Sequence, residues 1–190
     1  MAVWPNRSKS GCQSMACRFM QRRAWAKRPR LPWASHSLGW YRSERMLLHV
    51  RDPAAVLAEA ARVLAPGSPI VLADQDLDTT VISSSRPGLT RQLAYAFTGS
   101  VANGHAGTRA GDYLADAGFT QIAVSVVPIV ETSLTAALPL LIQPAIQAAL
   151  ATGSVPEADL HDWLDEQRQR DQQGRYLLAL SVFVTTALHH

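Results

Sequence analysis

A chain of 190 residues that is 47% hydrophobic and 17% charged has the apolar content for one domain with its own core. Its formal charge of +3 hides an asymmetry: residues 1–42 hold nine Lys or Arg and no acid, whereas residues 43–190 hold nine Arg and all fifteen acids, a net −6. The two cysteines, Cys12 and Cys17, are too few for a disulfide framework or a structural zinc site, so no metal is expected and a reducing cytoplasm is the expected compartment.

Residues 1–42 read as a basic leader, disordered or poorly packed. Apolar residues there follow neither helical nor strand periodicity, and Pro5, Pro29 and Pro32 interrupt any regular element. The leader lacks the apolar core of about 7–15 residues that a secretory signal needs. Arg with stacking Trp can contact nucleic acid, but a motif-free basic tail is ordinarily nonspecific, and no nucleic-acid partner is expected. Four of the five tryptophans (4, 25, 33 and 40) fall in this stretch. Such an acid-free, Arg- and Trp-rich composition is what out-of-frame reading of GC-rich coding DNA produces.

From Ser43 onward the texture is regular. Asp52 followed by Pro53 starts a helix, the carboxylate capping an orphan N–H and Pro occupying the first turn. Val56, Leu57, Ala60, Val63 and Leu64 share one face. Pro66-Gly67 ends that helix, and Ile70-Val71-Leu72-Ala73 is a continuous apolar strand of the kind covered on both faces. Asp74, Gln75 and Asp76 follow at its tip.

Thr90 to Val101 reads as a helix with Leu93, Phe97 and Val101 inward. His105, in an Asn-Gly-His loop, reads as an exposed loop residue. A short helix follows from Arg109 to Ala117, capped by Thr108 and stopped by Gly118. Phe119 to Val130 is a β-branched strand, and Ser133 to Thr152 is a helix or helix pair broken at its prolines. Its apolar run from Leu134 to Leu150 falls short of the roughly 20 residues of a membrane span, so no membrane association is expected. Ser154 with Glu157 fits a capping box before Leu160, Trp163 and Leu164. Gly174 closes that helix, Tyr176 to Leu188 is a final strand, and the terminal His189-His190 looks incidental. The alternation predicts an α/β layered sheet.

Three local patterns occur in the order found in one known family. Ser43-Glu44-Arg45-Met46-Leu47-Leu48-His49-Val50 before Asp52-Pro53 has the style S-x-x-v-L-x-H-v-x-D-P. Glu59-Ala60-Ala61-Arg62-Val63-Leu64-Ala65-Pro66-Gly67 matches E-x-x-R-V-L-x-P-G-G, with Ser68 in place of the second Gly. Gly107-Thr108-Arg109 through Leu114-Ala115-Asp116-Ala117-Gly118-Phe119 matches G-x-x-L-x-x-A-G-F. Over residues 43–190 the chain thereby resembles the C-terminal half of class I S-adenosylmethionine-dependent methyltransferases of the type 11, small-molecule kind.

That resemblance implies a seven-stranded sheet with S-adenosylmethionine at the C-terminal ends of its first, second and fourth strands. It also implies a glycine-rich turn after strand one and an acid ending strand two. Upstream of Ser43 the only glycines are Gly11 and Gly39, and no carboxylate is present. The expected fold is therefore α/β, an incomplete Rossmann-like methyltransferase sheet: strands five to seven with flanking helices, strand four degraded at best, the leader 1–42 disordered.

The function the resemblance implies is methyl transfer from S-adenosylmethionine to a small molecule, by a chain truncated and inactive in this form. By family position, Ser43, Glu44 and His49 are the candidate cofactor-binding residues and Asp74 and Asp76 the candidate substrate-binding residues. No catalytic residue is assigned. The alternative is a non-catalytic fragment that self-associates, or pairs with another chain, through the open edge of the fifth strand.

Overall fold

The computed structural model describes residues 30–190. The expectation of disorder in the leader therefore falls mostly outside the described residues, and where it reaches them it is corrected. Residues 31–40 are pinned along the helix α1, Pro53–Val63. Arg62 on α1 donates to the carbonyls of Leu31 (3.3 Å) and Trp33 (2.9 Å) and to Ser35 Oγ (3.3 Å). Glu59 Oε1 accepts the Leu31 N–H at 2.6 Å. The backbone of His36, Ser37 and Leu38 donates to the carbonyls of Arg62 and Val63, each at 2.9 Å. The paired Arg62 guanidinium, 2.6 Å away, holds the Glu59 carboxyl down to about 2. The E-x-x-R spacing thus puts two charges on one helical edge, where they clasp the incoming chain.

That chain continues into β1, Tyr41–Glu44, which pairs in parallel with the start of β2, Pro69–Ile82; Tyr41 faces Ile70 and Glu44 faces Ala73. Here too the sequence reading is corrected. The first strand after the leader is formed, and it covers the edge of β2 expected to be open. Four residues with alternating burial (Tyr41 and Ser43 in, Arg42 and Glu44 out) are too few for a periodicity argument.

A 3₁₀ turn at Leu47–His49 leads to α1, where Asp52 caps Ala55 N–H at 2.9 Å as predicted. Gly67, at φ +78°, supplies the left-handed turn into β2. Two helices follow, α2 at Pro87–Ser100 and α3 at Ala106–Asp116, then β3 at Thr120–Glu131. Next come α4 at Leu134–Ala137, a π-helical turn at Leu138–Ile142 around Pro139, α5 at Gln143–Thr152 and α6 at Glu157–Gln172. The last strand, β4 at Leu178–Leu188, inserts antiparallel between β2 and β3, giving the order β1-β2-β4-β3.

Two apolar clusters hold these layers together. One packs Leu57 of α1, Leu64 just after it, and Ala106 and Leu114 of α3 onto Ile70 and Leu72 of β2. The other joins Leu93 of α2, Ile142 and Ala149 of the broken helix, Trp163 of α6 and Leu178 of β4. Trp163 is fully buried and its indole N–H donates to Thr90 Oγ1 at 2.9 Å, satisfying the one polar atom that burial would orphan. The run Leu134–Leu150, read as too short to span a membrane, belongs to a continuous 19-residue helical stretch, Leu134–Thr152, of mean hydropathy 1.5, apolar and long enough to cross one by length and composition. Here its inner side belongs to the second cluster.

Three further readings change. The capping box at Ser154 does not form: Ser154 Oγ turns back to the Ala149 carbonyl at 3.4 Å, and Pro156 precedes α6. His189 is not incidental, because its N–H donates to Ser68 O and its carbonyl accepts Gly67 N–H, both at 2.9 Å. β3 is exposed along its whole length from Thr120 to Val130. Its β-branched composition foretold a strand, not a covered one.

Candidate functional site

The parallel pairing of β1 with β2 stops at Glu44 and Ala73, and the polar residues singled out in the sequence lie around that point. Asp74 and Asp76, read as the tip of a strand, are corrected to mid-strand positions, because β2 continues to Ile82 along β4. Ser43 lies in the same cross-strand row as Leu72 of β2 and Thr185 of β4. Ser43 is buried, and its Oγ has no hydrogen-bond partner. Glu44, one residue on, is exposed and pairs with Arg42 at 3.2 Å and Arg45 at 3.9 Å. Arg45 takes φ +49° and donates its N–H to Ala73 O at 2.8 Å, so the chain turns sharply off the tip of β1. His49 ends the 3₁₀ turn with its ring exposed.

Asp74 lies beneath that turn, fully buried. Its Oδ1 accepts Leu48 N–H over a long 3.4 Å, the N–H groups of Leu47 and Met46 face it, and its Oδ2 has no partner. Burial pushes its carboxyl up to about 6; the turn's N–H groups pull it down and the Glu44 charge adds to the rise. Tyr41 is raised to about 12, first by its own burial and then by the Asp74 charge.

Asp76 is equally buried, at 3% exposure, but its carboxylate is fully engaged. It accepts from His105 Nδ1 at 3.2 Å, from Asp78 N–H at 3.0 Å and from the Thr108 hydroxyl. The loop that brings His105 there is tightly fitted. Leu77 N–H donates to Gly104 O at 2.9 Å and Asn103 N–H to Leu48 O at 3.1 Å. A Cβ on Gly107 would lie 2.7 Å from the Asp74 carbonyl oxygen and 2.8 Å from Phe183 Cδ2, so only glycine lets α3 start this close to β2.

Ser43 and Glu44 thus end β1 beside the point where β2 continues through Asp74 and Asp76, with His49 exposed at the end of the neighbouring turn. The sequence missed His105 and Thr108 as partners of Asp76. Thr108, read as a helix cap, lies inside α3, and His105 is the residue before it. The only sequence signal is the run Asn-Gly-His-Ala-Gly-Thr, small residues alternating with hydrogen-bonding ones just ahead of a helix. Among the described residues no group of three or more His, Cys, Asp or Glu could hold a metal ion.

No family model matches the chain. Over 159 residues it is 31% identical to an uncharacterized 37.1 kDa protein in transposon Tn4556 of Streptomyces fradiae, an alignment covering 83% of this chain and 45% of that protein. The chain thus spans less than half the length of this curated relative. Among solved structures the fold is similar to that of the YcgJ protein of Bacillus subtilis (TM-score 0.50, 15% identity, 85% of this chain and 68% of that one). Another neighbour is an S-adenosylmethionine-dependent methyltransferase of Thermotoga maritima (TM-score 0.46, 15% identity, 85% and 61%). At 15% identity the likeness to the YcgJ protein is one of fold alone, a mixed α/β arrangement.

Proposed function

We propose that this chain is an S-adenosylmethionine-dependent methyltransferase of the type 11 kind acting on a small molecule, working in a reducing cytoplasm. The observation that carries the reading is the polar end of the parallel pairing of β1 with β2, where two buried side chains, Ser43 and Asp74, keep a hydrogen-bonding atom without a partner among the described residues. Buried polar atoms are nearly always satisfied. Two orphans side by side where β1 ends against β2 suit a polar ligand lying against them, which supports the family resemblance.

The residues present fit one wall of a cofactor site. Ser43, Glu44 and His49 would hold the cofactor on this side; among the described residues no glycine-rich turn follows a strand. Bound S-adenosylmethionine supplies a methyl group on a sulfonium that is already a good leaving group. The protein's part is then chiefly to orient the acceptor and exclude water. Asp74 stands on the acceptor side, where its Oδ2, without a partner among the described residues, can accept a hydrogen bond from a hydroxyl or amine, while Asp76 shapes that side through the groups it already holds.

Calorimetric titration of the full chain with S-adenosylmethionine tests the reading. Saturable binding that weakens at least tenfold in Ser43→Ala or Glu44→Gln is the expected result. A folded, monodisperse sample that binds no cofactor refutes it. The non-catalytic alternative drew its motive from an open edge on β2, and β1 occupies that edge.

A further inference from the structure

The pair His105–Asp76 is built like a general base. Asp76 is 3% exposed, and His105 is its only cationic or titratable partner among the described residues. The imidazole is half-exposed, at 50%, and the one ring nitrogen with a recorded partner is Nδ1, at 3.2 Å from the carboxylate. A carboxylate only accepts hydrogen bonds, so of the two neutral tautomers it selects the one with the proton on Nδ1 and the lone pair on Nε2. Asp76 is itself fixed by the Thr108 hydroxyl and Asp78 N–H, and the His105 loop is locked by the close approaches at Gly104 and Gly107. A pre-oriented base on such a support suits proton transfer better than a mobile surface histidine does.

We propose that His105 is the base that takes the proton from the acceptor, with Asp76 as its positioning residue, and that the acceptor therefore carries an O–H or N–H at the atom to be methylated. This rests on the methyltransferase reading. The proton step balances on its own: the acceptor's O–H or N–H bond breaks as Nε2–H forms, and the electron pair stays on oxygen or nitrogen. The positive charge gained by the imidazole faces the buried Asp76 carboxylate. Acceptors with no such proton, thioethers or tertiary amines, gain nothing from this arrangement.

Two measurements on the full chain test it. Diethyl pyrocarbonate acylates an unprotonated imidazole nitrogen, and site-resolved mass spectrometry reads each histidine. At alkaline pH, where the imidazoles compared are neutral, His105 is expected to react several-fold faster than the exposed His49 and His161, and Asp76→Asn to bring it to their rate. Equal rates in the unmodified chain overturn the proposal, without any cofactor being needed. In the second, methyl-labelled S-adenosylmethionine is offered with 4-nitrophenol, tyramine and dimethyl sulfide.

Label is expected on the first two only. His105→Gln should lower turnover about 100-fold with cofactor affinity unchanged, and imidazole should rescue His105→Ala. Unchanged turnover in His105→Gln, methylation of dimethyl sulfide as fast as of the others, or no turnover by a chain that binds the cofactor overturns it. Absence of cofactor binding is read separately by calorimetry and refutes the methyltransferase reading instead.

Discussion

Asp74→Asn is the substitution whose effect follows most directly from the structure. In the native state the Asp74 carboxyl is pushed up to about 6 from an ordinary 3.8, chiefly by burial. Between those values the folded protein holds a proton that the unfolded chain has released. Stability must therefore fall as pH rises from about 4 to about 6, and level off above that. At 1.36 kcal/mol per pH unit, a gap of about 2 pH units is worth about 3 kcal/mol. Asparagine keeps an oxygen for the Leu48 N–H and cannot ionise, but it gives up the attraction of a charge to the turn's N–H groups. The stability of Asp74→Asn relative to the unmodified chain should thus grow by about 2–3 kcal/mol between pH 4 and pH 7. Urea unfolding of both proteins across that range reads it, and taking the difference cancels groups such as Glu59 whose pH dependence has the opposite sign. A difference that stays flat within about 0.5 kcal/mol, or that shrinks as pH rises, refutes the reasoning. The turn would then stabilise the carboxylate as an ordinary cap does.

Other perturbations test other joints. Gly107→Ala drives a methyl into the backbone of β2 and should cost about 1–3 kcal/mol in denaturant unfolding; a neutral result would mean that α3 slides freely on the sheet. Trp163→Phe leaves Thr90 Oγ1 without its indole partner and opens a void in the second cluster, lowering stability by about 2 kcal/mol, readable as a shift in the thermal midpoint. Arg62→Ala removes the clasp on residues 31–35, so hydrogen exchange at the amides of His36, Ser37 and Leu38 should accelerate at least tenfold while core amides of β2 are unchanged. Exchange that rises equally everywhere would make Arg62 a global determinant, not a local one.

What the sequence made legible was local chemistry. The Asp52-Pro53 helix start, the glycine stops at 67, 118 and 174, and the apolar run Ile70–Ala73 all specify their conformation within a few residues, and all appear where expected. What it hid was distant in sequence. Arg62 reaches back about 30 residues to clasp a segment whose own composition suggested disorder, and that clasp delivers β1 to its place. β2 runs on to Ile82 because β4 pairs with Val81 and Ile82 past a bulge, although Asp76, Asp78, Thr79 and Thr80 lower its β character. At the site, the sequence read Asp74 and Asp76 as the tip of a strand ending at Ala73, whereas β4 carries β2 past both of them. Their opposite environments were hidden too, because a partner 29 residues away satisfies one carboxylate and nothing among the described residues satisfies Oδ2 of the other.

The bare strand β3 bears on how the protein reaches its native state. Between Thr120 and Val130 it offers no charged side chain, five β-branched apolar residues beyond Ile122, and one outer edge with unmet backbone groups. During synthesis and refolding this stretch competes for intermolecular cross-β contacts until β4, about 60 residues later, arrives to pair with it. Two features act as gatekeepers: Pro128 withholds an N–H, and the irregularity at Gln121, with φ +53°, twists the strand's start. The yield of soluble protein is thus governed by a race between late strand pairing and collision with another chain, which dilution and low temperature favour, and which one lysine at Val127 would shift toward folding.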